Sequence, residues 1–328
     1  MKTTLSRTVE HPFVTGLRPD HLDIINHDAT EMTFEPGQII FRQAELANQF
    51  FLLQSGSVAL ESVMPGQKPV LIQTLKKGDA LGWSWLFPPF RWNFQARAVE
   101  GGRAYVLNGA HLLVESSENR DFGYELMKRV AQIIIQRLQA NRKQLLEIAG
   151  DKLKPINENS YAKKSGVRAN PLDALESLIE QHPFLKGIPA EHLKTLANCA
   201  MKVQFEPGQL VFEQGDVANR FYLLENGKVA LESHVKDKAS IPVELITGGD
   251  VLGWSWLFPP YYWNFDARAV EKTDAIFFYG TRLREYAEEN HALGFELLQR
   301  MVKVIINRLQ ATRRQLLVAE SERTAVKS

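Results

Sequence analysis

Hydrophobic residues along this chain form two kinds of pattern, short runs bounded by turn residues and long runs with a helical period. The short runs are rich in β-branched and aromatic residues and are separated by Pro-Gly, Ser-Gly and Asn-Gly pairs, which is typical of β-strands. Residues 49–62 and 220–233 each hold two such runs joined by Ser-Gly or Asn-Gly, so we predict a β-hairpin in each. Residues 18–28 and 190–200 are predicted to be short helices.

Two long helices are predicted near residues 122–149 and 295–319, with apolar side chains in alternating steps of three and four residues. This spacing over more than three heptads is typical of a coiled-coil seam, although the same face could also pack on its own domain. Asn141 falls on the first seam, where a polar residue fixes the register of a helix pair. The predicted helix-pairing residues are Ile134, Leu138, Asn141, Leu145, Ile305, Leu309, Thr312 and Leu316.

The whole pattern occurs twice, at a constant offset of 171 residues. For example, residues 34–38 and 205–209 both read FEPGQ. A period of this length makes each copy a whole domain. We predict domains at 1–149 and 172–328, each ending in its long helix, and a solvated linker at 150–171. The many short strands indicate an α+β fold, mainly β, with two jelly-roll (β-roll) domains, each followed by a dimerisation-type helix.

The partner of each long helix stays open at this point. The linker is long enough to run back along the first helix, so the two helices could pair in parallel within one chain. In that arrangement Asn141 would lie opposite Thr312, whereas in a dimer of like helices it would face a second Asn141.

Both copies contain one aromatic segment, which we call the cassette. The cassettes read GDALGWSWLFPPFRWNFQARAVE at residues 78–100 and GDVLGWSWLFPPYYWNFDARAVE at 249–271. All six tryptophans of the chain lie in them: Trp83, Trp85, Trp92, Trp254, Trp256 and Trp263. We expect each cassette to form a strand. Tryptophan fills protein cores and is also enriched in binding surfaces, so the sequence leaves both roles open.

Composition narrows the class of function. The chain has 328 residues, a hydrophobic content of 45% and a net charge of +1, which is typical of a globular protein without a strong field toward nucleic acid or membrane. No apolar run reaches the roughly 20 residues of a membrane helix. The single cysteine, Cys199, is expected to be buried and favours a reducing, cytoplasmic setting. No phosphate loop, nucleophile motif or metal cluster stands out, so we expect neither an enzyme nor a metal site.

The order of short helix, β-roll with FEPGQ turns, G-D-x-x-G and long helix resembles the cyclic nucleotide-binding domain of catabolite-activator-type bacterial regulators. The resemblance implies that Gly82 and Gly253 begin a cassette in which a glutamate holds the ribose and an arginine holds the cyclic phosphate. Both positions are tryptophan in both copies, and asparagine follows the second: Trp83, Trp92 and Asn93, then Trp254, Trp263 and Asn264.

These substitutions disfavour cyclic AMP or GMP as a ligand because an indole carries no positive charge. Backbone amides with Asn93 or Asn264 could still hold a phosphate, so a cyclic nucleotide stays possible and no other cofactor is indicated. Arg91 precedes the expected arginine by one residue, and on a strand its side chain would point to the opposite face. Arg97 and Arg268 match a strand arginine of the family, with a structural ion pair as the alternative to a ligand role.

Three functions are compatible with this pattern. The first is a non-enzymatic regulatory or accessory protein whose two degenerate cyclic nucleotide-binding-like domains bind a partner protein or a non-standard ligand. Stand-alone domains of this kind resemble small accessory subunits of bacterial redox enzymes such as NAD-reducing hydrogenases. The alternatives are a sensor that still binds cAMP or cGMP, and an architectural protein that self-associates through the long helices.

The ends of the long helices hold two further basic motifs. Arg142-Lys143 and Arg313-Arg314 are predicted to be solvated helix faces. Only about ten residues follow Ala319, too few for a helix-turn-helix, so we expect no DNA binding. His11 and His182 each precede Pro-Phe and are expected to pack at the start of each domain.

Overall fold

The computed structural model describes residues 10–63, 68–149, 166–168, 172–233 and 241–325. Within these residues, contacts define two compact units. The described residues of 1–141 and 301–328 form unit 1, and those of 142–300 form unit 2. Unit 1 therefore includes the C-terminal part of the second long helix, and unit 2 includes the C-terminal part of the first.

Unit 1 contains a β-roll preceded by a short helix and followed by two helices. The elements are α1 (Pro19–Asn26), β1 (Thr30–Phe34), β2 (Ile39–Phe41), β3 (Gln49–Ser62), β4 (Val70–Lys76), β5 (Ala80–Leu81), β6 (Gln95–Asn108), α2 (Gly109–Glu118) and the long helix α3 (Arg120–Ala149). Strands β1 to β6 form one sheet in the order β1-β6-β3-β4, with β2 also paired to β6 and β5 to β3. We call these six strands roll 1.

Unit 2 repeats this plan, and among its described residues a strand and a helix precede the repeated elements. The elements are β7 (Gly166–Arg168), α4 (Leu172–Gln181), α5 (Ala190–Ala197), β8 (Ala200–Phe205), β9 (Leu210–Phe212), β10 (Arg220–Leu224), β11 (Lys228–Ser233), β12 (Ile241–Thr247), β13 (Val251–Leu252), β14 (Asp266–Ala269), β15 (Thr273–Tyr279), α6 (Gly280–Glu289) and the long helix α7 (His291–Ala325). The sheets follow the orders β13-β10-β15-β8-β7 and β12-β11-β14-β9. Strands β8 to β15 are roll 2. The predicted α+β fold with two β-rolls and long helices is confirmed, but helices hold more of the described residues than strands do, so the fold is mixed and not mainly β.

The hairpins predicted at 49–62 and 220–233 are wrong. In roll 1 this segment is one continuous strand, β3, which pairs with β6 along its whole length. Gly56 has a φ of +77°, and a Cβ at this position would lie 2.6 Å from the carbonyl oxygen of Gly101. The glycine therefore permits a close approach of two strands instead of a chain reversal. In roll 2 the two halves, β10 and β11, belong to different sheets.

Part of the predicted linker belongs to unit 2. Residues 166–168 form β7, an edge strand in which Val167 is paired with Val203 of β8. The remainder of the predicted tether, 150–165 and 169–171, lies outside the described residues. Helix α4 was not predicted, although Leu175 and Ile179 are buried one turn apart on its inner face.

Asparagine residues begin three of the four helices that follow the rolls, the exception being α6, which starts after Tyr279. Oδ1 of Asn108 accepts hydrogen bonds from the backbone N–H groups of Ala110 and His111 at 3.0 and 3.2 Å, at the start of α2. Asn119 and Asn290 cap α3 and α7 in the same way. These side chains satisfy N–H groups that a helix leaves free at its first turn, which fixes where each helix starts.

The cassettes are not strands over residues 82–94 and 253–265, contrary to the prediction. Each runs from a glycine with positive φ through one turn of 3-10 helix, Ser84–Leu86 or Ser255–Leu257. Pro88-Pro89 and Pro259-Pro260 are cis peptides, and the strand begins only at the end of the cassette. In the described part of the chain, every helix is too short or too polar to cross a membrane.

Candidate ligand pocket and its arginine residues

Trp92 and Trp263, the last tryptophan of each cassette, fill the interior of the rolls. The ring of Trp92 stacks on Phe41 with centroids 4.1 Å apart, and Trp263 stacks on Phe212 at 3.9 Å. A Cβ on Gly82, whose φ is +90°, would lie 3.1 Å from the Trp92 ring. The indole therefore packs where a side chain at position 82 would otherwise project, and it presents no cation to a ligand.

All six tryptophans are buried, with exposed fractions between 2% and 8%. The first tryptophan of each cassette, Trp83 or Trp254, lies beside a guanidinium group. In unit 1, Cζ of Arg137 lies 4.4 Å from the Trp83 ring centroid, and in unit 2, Cζ of Arg142 lies 5.4 Å from that of Trp254. Trp85 packs against Gly109 at the start of α2, where a Cβ would be 2.5 Å from the indole. These contacts are core packing and cation–π stacking.

The end of α7 places an arginine over the cassette of unit 1. Arg313 is 2% exposed, and its Cζ lies 4.9 Å from the ring centroid of Phe94. Its Nη2 donates a hydrogen bond to Oε1 of Gln73 at 3.1 Å. With the amide of Asn141 oriented to satisfy both of its neighbours, Oδ1 of Asn141 accepts from Nε of Arg313 at 3.1 Å.

A second arginine enters the same pocket from α3. Arg137 donates to the carbonyl oxygen of Ala80, while its Nη1 has no hydrogen-bond partner in the described structure. Burial lowers the pKa of Arg137 to about 10. Burial lowers the pKa of Arg313 to about 9, with the neighbouring charge of Arg137 as the second cause. The pocket thus contains two guanidinium groups in an environment that disfavours their charge.

The remaining pocket in unit 1 is small. The cassette contributes Gly82, Trp83, Ser84, Trp92 and Asn93, and the two helices contribute Arg137, Ile306, Leu309, Gln310 and Arg313. The cavity between them measures about 30 Å³, room for roughly two water molecules. The cassette and the two helices therefore leave little free space between them.

In unit 2, the arginine equivalent to Arg313 is Arg142, and it has a different hydrogen-bond partner. Arg142, which α3 supplies, is 2% exposed and forms an ion pair with Glu244. Its Cζ also lies 5.4 Å from the ring centroid of Phe265. The residue equivalent to Glu244 in unit 1, 171 positions earlier, is Gln73. The same buried arginine is therefore neutralised by a carboxylate in unit 2 and by none in unit 1.

The prediction that Arg142 and Arg313 belong to solvated faces is wrong. The first residue of each basic pair is buried against a β-roll, while Lys143 and Arg314 are exposed. Sequence reasoning also missed Arg137, Gln73 and Glu244. A signal was present, because residues 137–142 read RLQANR and 308–313 read RLQATR, so that both copies keep two arginines five residues apart beside the seam.

The other predicted site residues lie away from the cavity centre or already have partners. Asn93 and Asn264 are exposed, and their Nδ2 atoms lie 3.3 and 3.4 Å from Ser84 and Ser255. Nε of Arg97 donates to Glu61 at 2.9 Å, and Nε of Arg268 donates to Glu232 at 3.1 Å. Arg91 is not on a strand; it is exposed and donates to the carbonyl oxygen of Ala44.

The predicted seam residues are all buried in the described structure. Within unit 1, Leu309 lines the same cavity as Arg137, and Asn141 contacts Arg313, the residue that follows Thr312. The hydroxyl of Thr312 donates to the carbonyl oxygen of Arg308 on its own helix. Whether these residues act as a dimer seam stays a prediction.

Comparison with protein-family models identifies the family of the chain. The cyclic nucleotide-binding domain model matches residues 31–116 and 202–290, just over half of the chain. The chain therefore belongs to the cyclic nucleotide-binding domain family and contains two such domains. The resemblance inferred from the cassettes is confirmed.

Two curated relatives match parts of the chain. It is 35% identical over 78 residues to the cAMP-dependent protein kinase regulatory subunit of Schizosaccharomyces pombe, covering 24% of this chain and 18% of that protein. It is 26% identical over 122 residues to the anaerobic regulatory protein of Bacillus subtilis, covering 34% of this chain and 51% of that protein. The matches thus span at most about half the length of these relatives.

Solved structures with a similar fold include proteins named for cyclic nucleotide binding. One, from Geobacter metallireducens, is 29% identical, with a TM-score of 0.38, and covers 42% of this chain and 99% of that one. The regulatory domain of Toxoplasma gondii PKA, crystallised with cAMP, is 14% identical, with a TM-score of 0.33 and coverage of 86% and 89%.

Proposed function

We propose that this protein is a non-enzymatic regulatory or accessory protein whose cyclic nucleotide-binding domains are degenerate and do not take up cAMP or cGMP. The observation that supports this proposal is Arg313, which lies buried over Phe94 in the unit 1 pocket. The cavity beside it measures about 30 Å³, whereas a drug-sized ligand needs a pocket of about 300 Å³ or more. A nucleotide would have to displace the end of α7.

The chemistry of the cassette supports the same conclusion. Neutral indoles occupy the positions of the sugar-binding acid and the phosphate-binding base in both copies, and both are buried. Replacing Trp83 or Trp92 contacts with nucleotide contacts would expose aromatic surface or leave a cavity in the roll. Domains of this kind act through protein contacts, and a bacterial redox complex such as an NAD-reducing hydrogenase is the candidate assembly.

Titration calorimetry of the full chain with cAMP and cGMP tests the proposal. We expect no binding heat at ligand concentrations up to about 1 mM, which corresponds to a binding free energy weaker than about 4 kcal/mol. A dissociation constant in the micromolar range would reject it in favour of a cyclic nucleotide sensor. Purification from the native source, followed by mass spectrometry, should recover a stoichiometric protein partner, and recovery of a lone chain would contradict the accessory role.

A further inference from the structure

Arg137 and Arg313 place two positive charges in one small pocket. Both side chains are buried, and they reach the pocket from different helices, α3 and α7. The guanidinium nitrogens of Arg313 donate hydrogen bonds to two neutral amide oxygens, those of Gln73 and Asn141. Nη1 of Arg137 lies buried with no partner. A buried guanidinium with an unused donor is a site where an anion would be bound favourably.

Charge is not balanced within this pocket. Among the described residues, neither guanidinium forms an ion pair with a carboxylate. Burial lowers the pKa of Arg137, and the charge of Asp79 raises it in part, without an ion pair between the two. The Asp79 carboxylate accepts a hydrogen bond from the backbone N–H of Lys76 at 2.8 Å. The remaining cavity walls are aromatic, aliphatic or neutral polar side chains. A buried pair of like charges favours a counter-charge in contact with it, and the described residues supply no carboxylate that pairs with either guanidinium.

Unit 2 shows what the chain does when it provides the counter-charge itself. Arg142 occupies the position equivalent to Arg313, and its guanidinium pairs with the carboxylate of Glu244. Gln73 is the equivalent of Glu244 and has almost the same shape without the charge. The difference between Glu244 and Gln73 therefore separates an arginine that has a carboxylate partner from one that has a neutral amide partner.

We propose that the unit 1 pocket binds a small inorganic monoanion, of the size of chloride or nitrate, between Arg137 and Arg313. The cavity of about 30 Å³ matches an ion that replaces one or two water molecules and excludes an organic phosphate. The anion would contact both guanidinium groups, offset one of their two positive charges and hold the end of α7 on roll 1. This site deepens the proposed function, since the anion would stabilise the arrangement that keeps nucleotides out.

Bromide provides a direct test, because its anomalous scattering locates it in a crystal of the full chain. We expect a bromide peak between Arg137 and Arg313 and none beside Arg142. Absence of the unit 1 peak in crystals soaked at about 0.5 M bromide would overturn the proposal, since the same concentration should saturate a site with a millimolar dissociation constant.

A second test compares thermal midpoints in sodium chloride and sodium gluconate at equal ionic strength. Chloride should raise the midpoint of the wild-type chain with a saturable dependence. The variant Gln73→Glu should lose this response, with at least a tenfold weaker apparent affinity, because its carboxylate pairs with Arg313 as Glu244 does with Arg142. The control Gln73→Met, which adds no charge, should retain it. An unchanged chloride response in Q73E would exclude the site.

The reverse substitution in unit 2 should create a second anion site. Glu244→Gln removes the counter-charge of Arg142, so this variant should show a second bromide peak in unit 2. Failure to gain it would contradict the charge argument. The outcome is independent of the cyclic nucleotide titration: micromolar cAMP binding would reject the proposed function, whereas the bromide and Q73E results decide the anion site.

Discussion

Trp92 and Trp263 show how one aromatic residue can fill the interior of a β-roll. Each stands where the family resemblance places a phosphate-binding arginine, and each packs on a phenylalanine inside its roll. Because the neighbouring Gly82 has no side chain, the ring can come within van der Waals distance of its backbone. The core gains buried aromatic area from this arrangement, and the position presents an uncharged ring to the pocket.

His11 and His182 have a structural role that depends on a neutral ring. Nδ1 of His11 accepts a hydrogen bond from the backbone N–H of Phe13 at 3.1 Å, and Nδ1 of His182 accepts from that of Phe184 at 3.2 Å. Burial lowers the pKa of both rings below the ordinary value of 6.5. Protonation of Nδ1 would remove the acceptor, so the hydrogen bond and the neutral state support each other.

We predict that acid destabilises the protein through these rings. Above about pH 6.5 the histidines are neutral in both the folded and unfolded chain, and their contribution to stability is complete. As the pH falls below that value the unfolded chain takes up protons first, so the free energy of unfolding decreases until the folded pKa is passed. Urea unfolding between pH 5 and 8 measures this slope.

The variant His182→Asn keeps an acceptor near the position of Nδ1 but cannot titrate. Its free energy of unfolding should depend less on pH between 6.5 and 5 than that of the wild-type chain. His27, which is exposed, provides the control, and His27→Asn should leave the slope unchanged. Equal slopes for wild type and H182N would contradict the role assigned to this ring.

The long helices contribute more than an apolar face. Each carries arginines on either side of its predicted seam, and Arg137, Arg142 and Arg313 all bury their guanidinium groups against aromatic rings. The seven-residue pattern predicted the seam but not these flanking contacts. Arginine can stack its planar group on an indole while its donors remain available, which suits it to a half-aromatic pocket.

The ion pair of Arg142 and Glu244 in unit 2 leads to a prediction about stability. The change Glu244→Ala should lower the free energy of unfolding by about 3 kcal/mol, because it leaves a buried guanidinium without its counter-charge. We expect the double variant Arg142→Met, Glu244→Leu to recover most of this loss, since an apolar pair needs no compensation. Chemical denaturation of Arg142→Met, Glu244→Leu and the double variant measures the coupling. Additive losses would show that the pair contributes little.

The repeat offset predicted much of the fold, because local signals decide where strands and helices begin. It failed at Ser55-Gly56, where a glycine that favours turns instead allows β3 to lie close against β6. The candidate site was less accessible to sequence reasoning. Arg313 and Gln73 are hydrogen-bonded across 240 positions of sequence, and no local pattern specifies such a contact. The cassette residues were found, but the arginines that cover them were not.

Unit 1 is assembled from both ends of the chain, which leads to a prediction for the whole molecule. A protease site introduced within residues 150–165 would separate the chain into two fragments without touching unit 1. Because unit 1 contains residues from 1–141 and from 301–328, the fragments should remain associated after cleavage. Size-exclusion chromatography of the cut protein should give one peak containing both fragments. Elution of two separate fragments would contradict the composition of unit 1.

During translation, Arg313 is synthesised long after the cassette that it covers. The residues of α7 that cover the unit 1 cassette are translated about 220 residues after it, which takes roughly 10 to 45 seconds at typical rates of synthesis. During that interval roll 1 can leave the ribosome with its aromatic pocket uncovered. The nascent chain is then open to chaperones, or to a small molecule that the finished protein would no longer admit.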